Sequence, residues 1–532
     1  MVSYRCFADE PVQYKSTLYS AEFLQMIAQS HSATLLGIEA LPVVIEVDLR
    51  PAGSEQMFQM VGLVDKAVEE SKVRVRSAIT NSSLQFPSNK VICNVAPGDV
   101  RKEGPFLDLP IAIAILAQSG QVSKDLLAST MILGELGLEG ILRPIGGAVS
   151  VALMARDKGF KKLILPKLNA AEAAVVPELE VFGLENLEEV VLLLNGAEQF
   201  KPYQFRAEDG QSAVKYEVDY SDVKGQLHAV RALEIAAAGG HNVLMVGPPG
   251  SGKTMLARRL PTILPPLSLN ESIDVTRIWS STRERGDAQG LMWERPFRSP
   301  HHSASHAAIV GGGRNPRPGE VSMAHHGCLF LDEMPEFERS TLEALRQPLE
   351  DGVVTVSRVQ NTITFPAACL LVGAMNPCPC GFRGLPEQKC ISSPTVCGRY
   401  ASKISGPLLD RIDLHIEVPR LKPDELIGAS TSEPSSRIRE RVIAARKIQS
   451  DRLIEGRTNS RMSPKELKKL VPLDADCEAF MRLVVTRMNI SARVYDRLLK
   501  VGRTIADLAG DENVSKVHLA EAVQYREREV VG

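Results

Sequence analysis

The sequence predicts a mixed α/β chain of several domains, in which strand, loop and helix alternate and a helical segment closes the chain. Three observations carry that prediction. The apolar run at 243–246 feeds a loop of Gly247, Pro248, Pro249, Gly250, Ser251, Gly252, Lys253 and Thr254, and a series of good helix formers from Met255 to 260 leaves it. Two further apolar runs, 328–331 and 369–375, each end in polar residues, Asp332 with Glu333 and then Asn376. Ahead of them, residues 34–195 repeat apolar patterns of strand length and helix length. At 532 residues the chain is too long for one core and predicts three or four units.

Bulk properties narrow the class. Apolar residues make up 44% and charged residues 24%, an ordinary globular composition. The formal net charge of -2 excludes a global basic field, so any nucleic-acid contact has to come from local patches. No apolar run approaches a membrane span, and the start lacks the basic-then-apolar order of an export signal. Nine cysteines, four of them clustered at Cys378, Cys380, Cys390 and Cys397, point to reduced thiols and a cytoplasmic setting.

In chain order, residues 1–33 form a poorly specified N-terminal extension, with Met26 as a second candidate start. Residues 34–195 read as an α/β domain. Strands are expected at 43–49 and 91–95, a helix at 64–79, and a buried helix at 107–116 with Pro110 tolerated in its first turn. Short strands follow in the Gly-rich stretch 134–147, then a helix at 149–159. A polar linker covers 196–222, the nucleotide-binding core 223–428, a second linker 429–436, and a helical domain 437–532.

The loop at 247–254 fits G-x-x-x-x-G-K-[ST], and its position between strand and helix aims backbone N–H groups and a helix N-terminus at a polyphosphate. Lys253 is then expected to reach the β- and γ-phosphates of ATP, and Thr254 to place its hydroxyl on Mg²⁺. Asp332 supplies the second Mg²⁺ contact through water, Glu333 polarises the attacking water, and Asn376 positions it.

Two resemblances extend this reading. In the first domain, Lys102-Glu-Gly-Pro105 and Gly134-Glu-Leu, Gly140 and Arg143-Pro-Ile-Gly-Gly147 resemble the proteolytic domain of the Lon family. That family has a nucleophilic serine after the Gly-Pro pair and a lysine on the helix after Gly-Gly. Here Phe106 takes the serine's place, and no lysine precedes Lys158. Ser150 is the remaining hydroxyl candidate, without a lysine partner in the motif. The domain is therefore expected to be an inert structural or interaction module. The core resembles an AAA+ ATPase of the magnesium-chelatase-like branch. That likeness makes Arg411 the finger that completes a neighbouring subunit's site and Arg493 the second sensor, and it implies a ring, a hexamer.

From about residue 34 the chain resembles the ComM/YifB family, through Arg298-Ser-Pro-His-His302, Gly311-Gly-Gly-Arg314, Pro316-Arg-Pro-Gly-Glu320, Phe330-Leu-Asp-Glu333, Asn376-Pro-Cys-Pro-Cys-Gly381 and Arg503-Thr-Ile-Ala-Asp-Leu508. The resemblance implies a hexameric helicase that moves DNA branch points during integration of transforming DNA. Two rivals stand beside it: a magnesium-chelatase-type motor subunit for metal insertion, and an ATP-dependent unfoldase or protease-related protein.

DNA and metal candidates follow. Arg314 and Arg317 in the Gly- and His-rich stretch 279–326, and Arg358 near the tip of a hairpin expected at 353–365, are either phosphate contacts or ion-paired structural arginines. Histidines 301, 302, 306, 325 and 326 cluster in the same stretch and are expected to be structural or to face nucleic acid. Cys378, Cys380, Cys390 and Cys397 either hold a structural Zn²⁺ or stay metal-free, the family's usual second C-x-C being replaced by Cys390-Ile-Ser392. Basic residues dominate 437–461, where Ile438, Val442, Ala445 and Ile448 predict an amphipathic helix.

Overall fold

The computed structural model describes residues 27–51, 58–102, 104–206, 216–282, 290–313, 316–357, 362–384, 388–422, 425 and 432–526. The chain forms two compact units. The first holds the described residues up to Leu35, with Ala40–Ile145 and Val151–Tyr203; the second holds Leu36–Glu39, Gly146–Ser150 and the described residues from Gln204 onward. Among the described residues no helix is long and apolar enough to cross a membrane.

The first unit is built on a seven-stranded mixed sheet in the order Phe58–Val61, Lys90–Ala96, Glu39–Arg50, Ala28–Leu36, Thr130–Ile132, Lys162–Pro166, Glu180–Leu184. Val43, Ile45 and Val47 on one strand and Val91, Cys93 and Val95 on its antiparallel partner turn one face to the core. Against it lies the Asp108–Gln118 helix, buried at every position from Asp108 to Ala117. Its Asp108 carboxylate is held inside by Ser71 and by Arg74, whose Nε donates at 2.7 Å. The Lys66–Asn81 helix supplies both partners and is capped by Asp65, which accepts from the Val68 N–H.

The structure corrects the expected start of this unit. Its strand Ala28–Leu36 opens before residue 34, because the buried face is carried by Ala28, Ser30, Ser32 and Thr34. Small and hydroxyl side chains pack there without an apolar alternation for the sequence to display. Residues 1–26 of the expected extension lie outside the described residues.

The second unit is organised by a five-stranded sheet in the order Phe297–Arg298, Cys328–Leu331, Leu370–Met375, Val243–Val246, Leu414–Glu417, with every pairing parallel. Being covered on both faces, its inner strands are apolar: Cys328–Leu331 and Leu370–Met375 are buried at each position. The sheet's edge strand Phe297–Arg298 comes from within 279–326, so that stretch is part of the core as well as an insertion. Val353–Ser357 and Thr362–Pro366 form the expected antiparallel hairpin, in the register Val353 to Pro366.

Both polar linkers end inside this unit. Tyr220 is fully buried, its hydroxyl donates to the Leu256 carbonyl at 3.1 Å, and its N–H donates to Ser435 Oγ at 2.9 Å. Asp219 caps the short turn Tyr220–Asp222 and also accepts from the Ser435 N–H. Polarity at 219–222 and 435 thus serves capping rather than solvation, which is why composition alone reads these residues as linker. The Ser435–Arg452 helix follows directly. It buries Ile438, Val442 and Ala445 as expected, but it buries Gln449 in place of the exposed Ile448. Gln449 donates to the Ala238 carbonyl and accepts from the Asn459 N–H. The Ala492–Ala509 helix packs beside it, and its fully buried Asp507 is shared by Arg452, Arg503 and Asn459.

Candidate active site

Parallel strands place all their C-terminal ends on one edge of a sheet, where α/β folds bind ligands. Gly247, Asp332 and Asn376 each follow the last residue of a neighbouring strand, and Val246 pairs directly with Met375. Gly250 and Gly252 have φ of +76° and +92°, conformations that a side chain would oppose. At Gly247 the constraint is space, since a Cβ there would come within 2.1 Å of the Val418 carbonyl oxygen. The loop delivers the chain into the eleven-residue Lys253–Ile263 helix. Ser251 is buried and its Oγ has no partner among the described residues, so the loop carries an orphaned donor beside the helix N-terminus.

Lys253 is buried, and burial pulls its ammonium below the usual lysine range while Asp332 and Glu333 act against that pull. Its Nζ donates to the Gly247 and Pro248 carbonyls at 2.7 and 3.0 Å and to Asn376 Oδ1 at 3.2 Å. Thr254 Oγ1 donates to Asp332 Oδ2 at 2.7 Å, and the Glu333 N–H donates to Asp332 Oδ1 at 2.9 Å. Glu333 sits at φ +49°, a left-handed conformation that is strained for a glutamate, with its carboxylate exposed. His302 Nδ1 lies 3.5 Å from Glu333 Oε2. Nothing in the spacing of the sequence joins these two, although His302 stands in one of the motifs that carry the family likeness.

Arg411 and Arg493 do not join this group. Both line a cleft of about 740 Å³ together with Asn242, Gly327, Cys369 and Asp413. Each of those four residues immediately precedes a core strand or, for Cys369, the first residue of one, so the cleft lies at the N-terminal edge of the sheet. Arg411 is 7% exposed; its Nη2 pairs with Glu350 at 2.5 Å and its Nη1 donates to the Pro407 carbonyl, while its buried Nε has no partner among the described residues. The ion-pair partner is therefore Glu350 rather than Asp410 or Asp413. Asp413 is taken by His241 and Arg497. Hydrogen bonding by Arg411, with Arg493 and Arg497 nearby, holds Glu350 below the ordinary carboxylate range. Arg493 itself is exposed.

Of the DNA candidates, Arg314 and Arg358 lie outside the described residues. Arg317 is exposed on the two-residue strand Arg317–Pro318, paired with Gly312. Among the histidines, His325 Nδ1 accepts from the Ala368 N–H at 2.9 Å. That places the proton of the neutral ring on Nε2 and removes a metal-ligating lone pair, although Asp274 and His326 stand close by. The cysteines do converge. Cys378 and Cys380 Sγ are 3.2 Å apart, Cys380 and Cys390 3.4 Å, Cys378 and Cys390 3.6 Å, and Cys390 and Cys397 3.7 Å.

The Lon-like signature is spent on packing. Phe106 lies against the core of the first unit, and Ser150 is buried with its Oγ donating to the Ile38 carbonyl at 2.7 Å. Lys158 is exposed beyond the end of the Ala148–Asp157 helix. A hydroxyl held as a donor to a backbone carbonyl, with no basic amine at hand, is not an activated nucleophile.

Comparison with known proteins agrees with this anatomy. The family model described as magnesium chelatase, subunit ChlI, matches residues 219–426, its C-terminal model matches 432–526, and a model described as subunit ChlI of Mg-chelatase matches 45–169. Competence protein ComM of Haemophilus influenzae is 42% identical over 506 residues, 94% of this chain and 97% of its own length. The YifB protein of Salmonella typhimurium is 43% identical over 503 residues, again 94% and 97%. A Lon protease of Methanosarcina barkeri is 35% identical over 127 residues, 23% of this chain and 16% of its own, a partial likeness at the N-terminal side.

Proposed function

The chain belongs to the ComM/YifB family of magnesium-chelatase-like AAA+ proteins, and from that premise we propose that it is an ATP-hydrolysing ring motor that moves along branched or single-stranded DNA in the cytoplasm. Its task would be branch migration, in recombination or in the integration of transforming DNA. The observation that carries this reading is the division of candidate residues between the two edges of one parallel sheet. Lys253, Thr254, Asp332, Glu333 and Asn376 occupy the C-terminal edge, whereas Arg411 and Arg493 occupy the opposite one. An arginine that completes a site from the far edge has to enter a neighbour's site. Head-to-tail contacts of that kind close into rings when the rotation between neighbours closes.

The residues of the C-terminal edge fit ATP with Mg²⁺. The unpaired Ser251 Oγ, the left-handed Gly250 and Gly252 and the helix N-terminus offer donors to phosphate oxygens. Thr254 and Asp332 would hold Mg²⁺, which supplies neutralisation of the charge that develops on the phosphoryl oxygens. Lys253 is held at the loop by carbonyls and Asn376, so its ammonium is positioned before nucleotide arrives. Glu333 is the exposed carboxylate that takes the proton of water, and Asn376 orients that water from the adjacent strand end. Arg411, now paired with Glu350, would exchange that partner for the neighbouring subunit's nucleotide.

The hairpin Val353–Pro366 and the exposed Arg317 are the surfaces assigned to DNA, together with Arg314 and Arg358. The chelatase reading rests on the names of the matching models. One of those models covers residues 45–169 of the first unit, and the reading requires a porphyrin substrate. The deciding assay is ATP-dependent strand exchange on a labelled four-way junction, with Glu333→Gln as control. Branch movement lost in the mutant supports the proposal. Hydrolysis unaffected by DNA and unaccompanied by branch movement would transfer the assignment to the chelatase or unfoldase class.

A further inference from the structure

The four clustered thiols carry an inference about how the ATP site is held, and it rests on reading residues 247–254 as that site. A tetrahedral ion with four thiolates at about 2.3 Å sets neighbouring sulfurs roughly 3.7 Å apart. The four sulfur separations here run from 3.2 to 3.7 Å. They are far longer than a disulfide, whose sulfurs stand about 2 Å apart. A [4Fe–4S] cluster, which places each thiolate on a different iron, would hold the sulfurs farther apart than this, and a [2Fe–2S] cluster would do so for the thiolates on its two irons. Backbone donors complete the picture of a thiolate nest: the Arg383 N–H donates to Cys378 Sγ at 3.3 Å.

What surrounds the thiols gives such an ion a second role. Cys378 is two residues beyond Asn376, whose Oδ1 accepts from Lys253. Gly381, next after Cys380, has φ +80°, and a Cβ there would stand 2.5 Å from Pro249 Cδ of the phosphate loop. Cys397 lies on the Pro394–Ala401 helix, three residues before Tyr400. Burial pushes the Tyr400 hydroxyl up to about 12, and the backbone of Asn376 hydrogen-bonds to it. Three attachments to the ATP site thus leave one small loop, which has no regular strand or helix between 376 and 393 among its described residues. A loop of that kind has little core of its own to fix it, and a metal staple is the usual remedy.

We propose that Cys378, Cys380, Cys390 and Cys397 hold one zinc ion, and that this ion braces the ATP site through Asn376 on one side and Gly381 against Pro249 on the other. Asn376 is a positioning residue for the attacking water, so slackening the brace lowers kcat more than it raises KM for ATP.

The test uses the full-length protein, purified under reductant without added metal, with zinc and iron measured by mass spectrometry and ATP hydrolysis by steady-state kinetics. Wild type is expected to carry one zinc per chain. Cys390→Ser is expected to carry less than half of that and to lose about 10–100-fold in kcat, the usual cost of loosening a metal site's surroundings, with KM nearly unchanged. Gly381→Ala is expected to keep its zinc and still lose kcat. Should Cys390→Ser fail to fold, wild type stripped by a zinc chelator in excess Mg²⁺ and then given Zn²⁺ back should lose and regain kcat. Wild type without zinc, or with iron in its place, overturns the metal site and the brace together. Zinc present, with kcat indifferent to its removal, overturns the brace and leaves the metal site standing. Zinc-loaded wild type that hydrolyses no ATP overturns the ATP reading and the brace but not the metal site.

Discussion

The two edges of the parallel sheet in the second unit are built on opposite plans. At the C-terminal edge the chemical groups satisfy one another within the chain: Thr254 with Asp332, Lys253 with Asn376 and the loop carbonyls. At the N-terminal edge the cleft gathers Arg295, Arg411, Arg446, Arg493, Arg497 and Lys500 against the acids Glu271, Glu350, Asp413 and Asp496, so positive charge is in excess. Burial pulls Arg446 down to about 10, and Arg295 is lowered by burial as well. Arg295 adds to the burial that lowers Arg446, and this is the edge the proposed function offers to a neighbouring chain's nucleotide. The paired acid, amine and hydroxyl of the other edge are the groups that the proposed function would turn to phosphate and Mg²⁺.

The sharpest way to break this comparison is to empty the basic edge without touching the other. Arg411→Ala is expected to lower the ATP turnover of the assembled protein by about 10³–10⁵, the range for an arginine acting in trans. Nucleotide binding by equilibrium titration should stay near wild type, and a parallel loss of affinity would place Arg411 in its own chain's site instead. On the other edge, Glu333→Gln should cost about 10²–10⁴ in kcat, as for loss of a general base, with ATP affinity retained. A wild-type rate in that variant would remove Glu333 from the chemistry.

Smaller effects test the scaffold. Arg503 is 1% exposed and donates to Asp507 and to the Asp511 and Glu512 carbonyls. Arg503→Met removes one partner of the buried Asp507 and should cost about 3–5 kcal/mol in chemical denaturation. His415 provides the most graded effect. Burial, with Arg526 nearby, lowers its pKa to about 3. Between the unfolded imidazole value near 6.5 and that folded value, the unfolded chain binds a proton that the folded chain does not. Stability is therefore full above about pH 6.5 and declines as pH falls toward 3, by up to about 1.4 kcal/mol per unit for this one group. His415→Gln should flatten the slope of denaturation midpoint against pH over that window, and an unchanged slope would clear His415 of the effect.

Legibility in the sequence followed the same division. Lys253 and Thr254 lie in one contiguous motif, and Asp332 and Asn376 each close an apolar run, so parallel strands bring them together without further information. The hairpin expected at 353–365 was equally plain, because strand alternation is local. Glu350 was not readable as the partner of Arg411, 61 residues away, and neither was His302 beside Glu333. No periodicity encodes a contact between loops. The strand Ala28–Leu36 escaped because serine and threonine fill its buried face, and Tyr220 with Ser435 escaped because capping residues resemble linker residues. Polar side chains that work inside the fold were the common source of error.

One dimension of the sheet reaches beyond the single chain. Its strands Val243–Val246 and Leu370–Met375 are four and six residues long, so about 13–20 Å of packed backbone separates the phosphate loop from the basic edge. No rotamer of a long side chain spans that interval, so under the proposed function an isolated chain would be half a catalyst. Its specific activity obeys mass action: it should rise with protein concentration, fall on dilution, and be restored when chains lacking only Lys253 are mixed with chains lacking only Arg411.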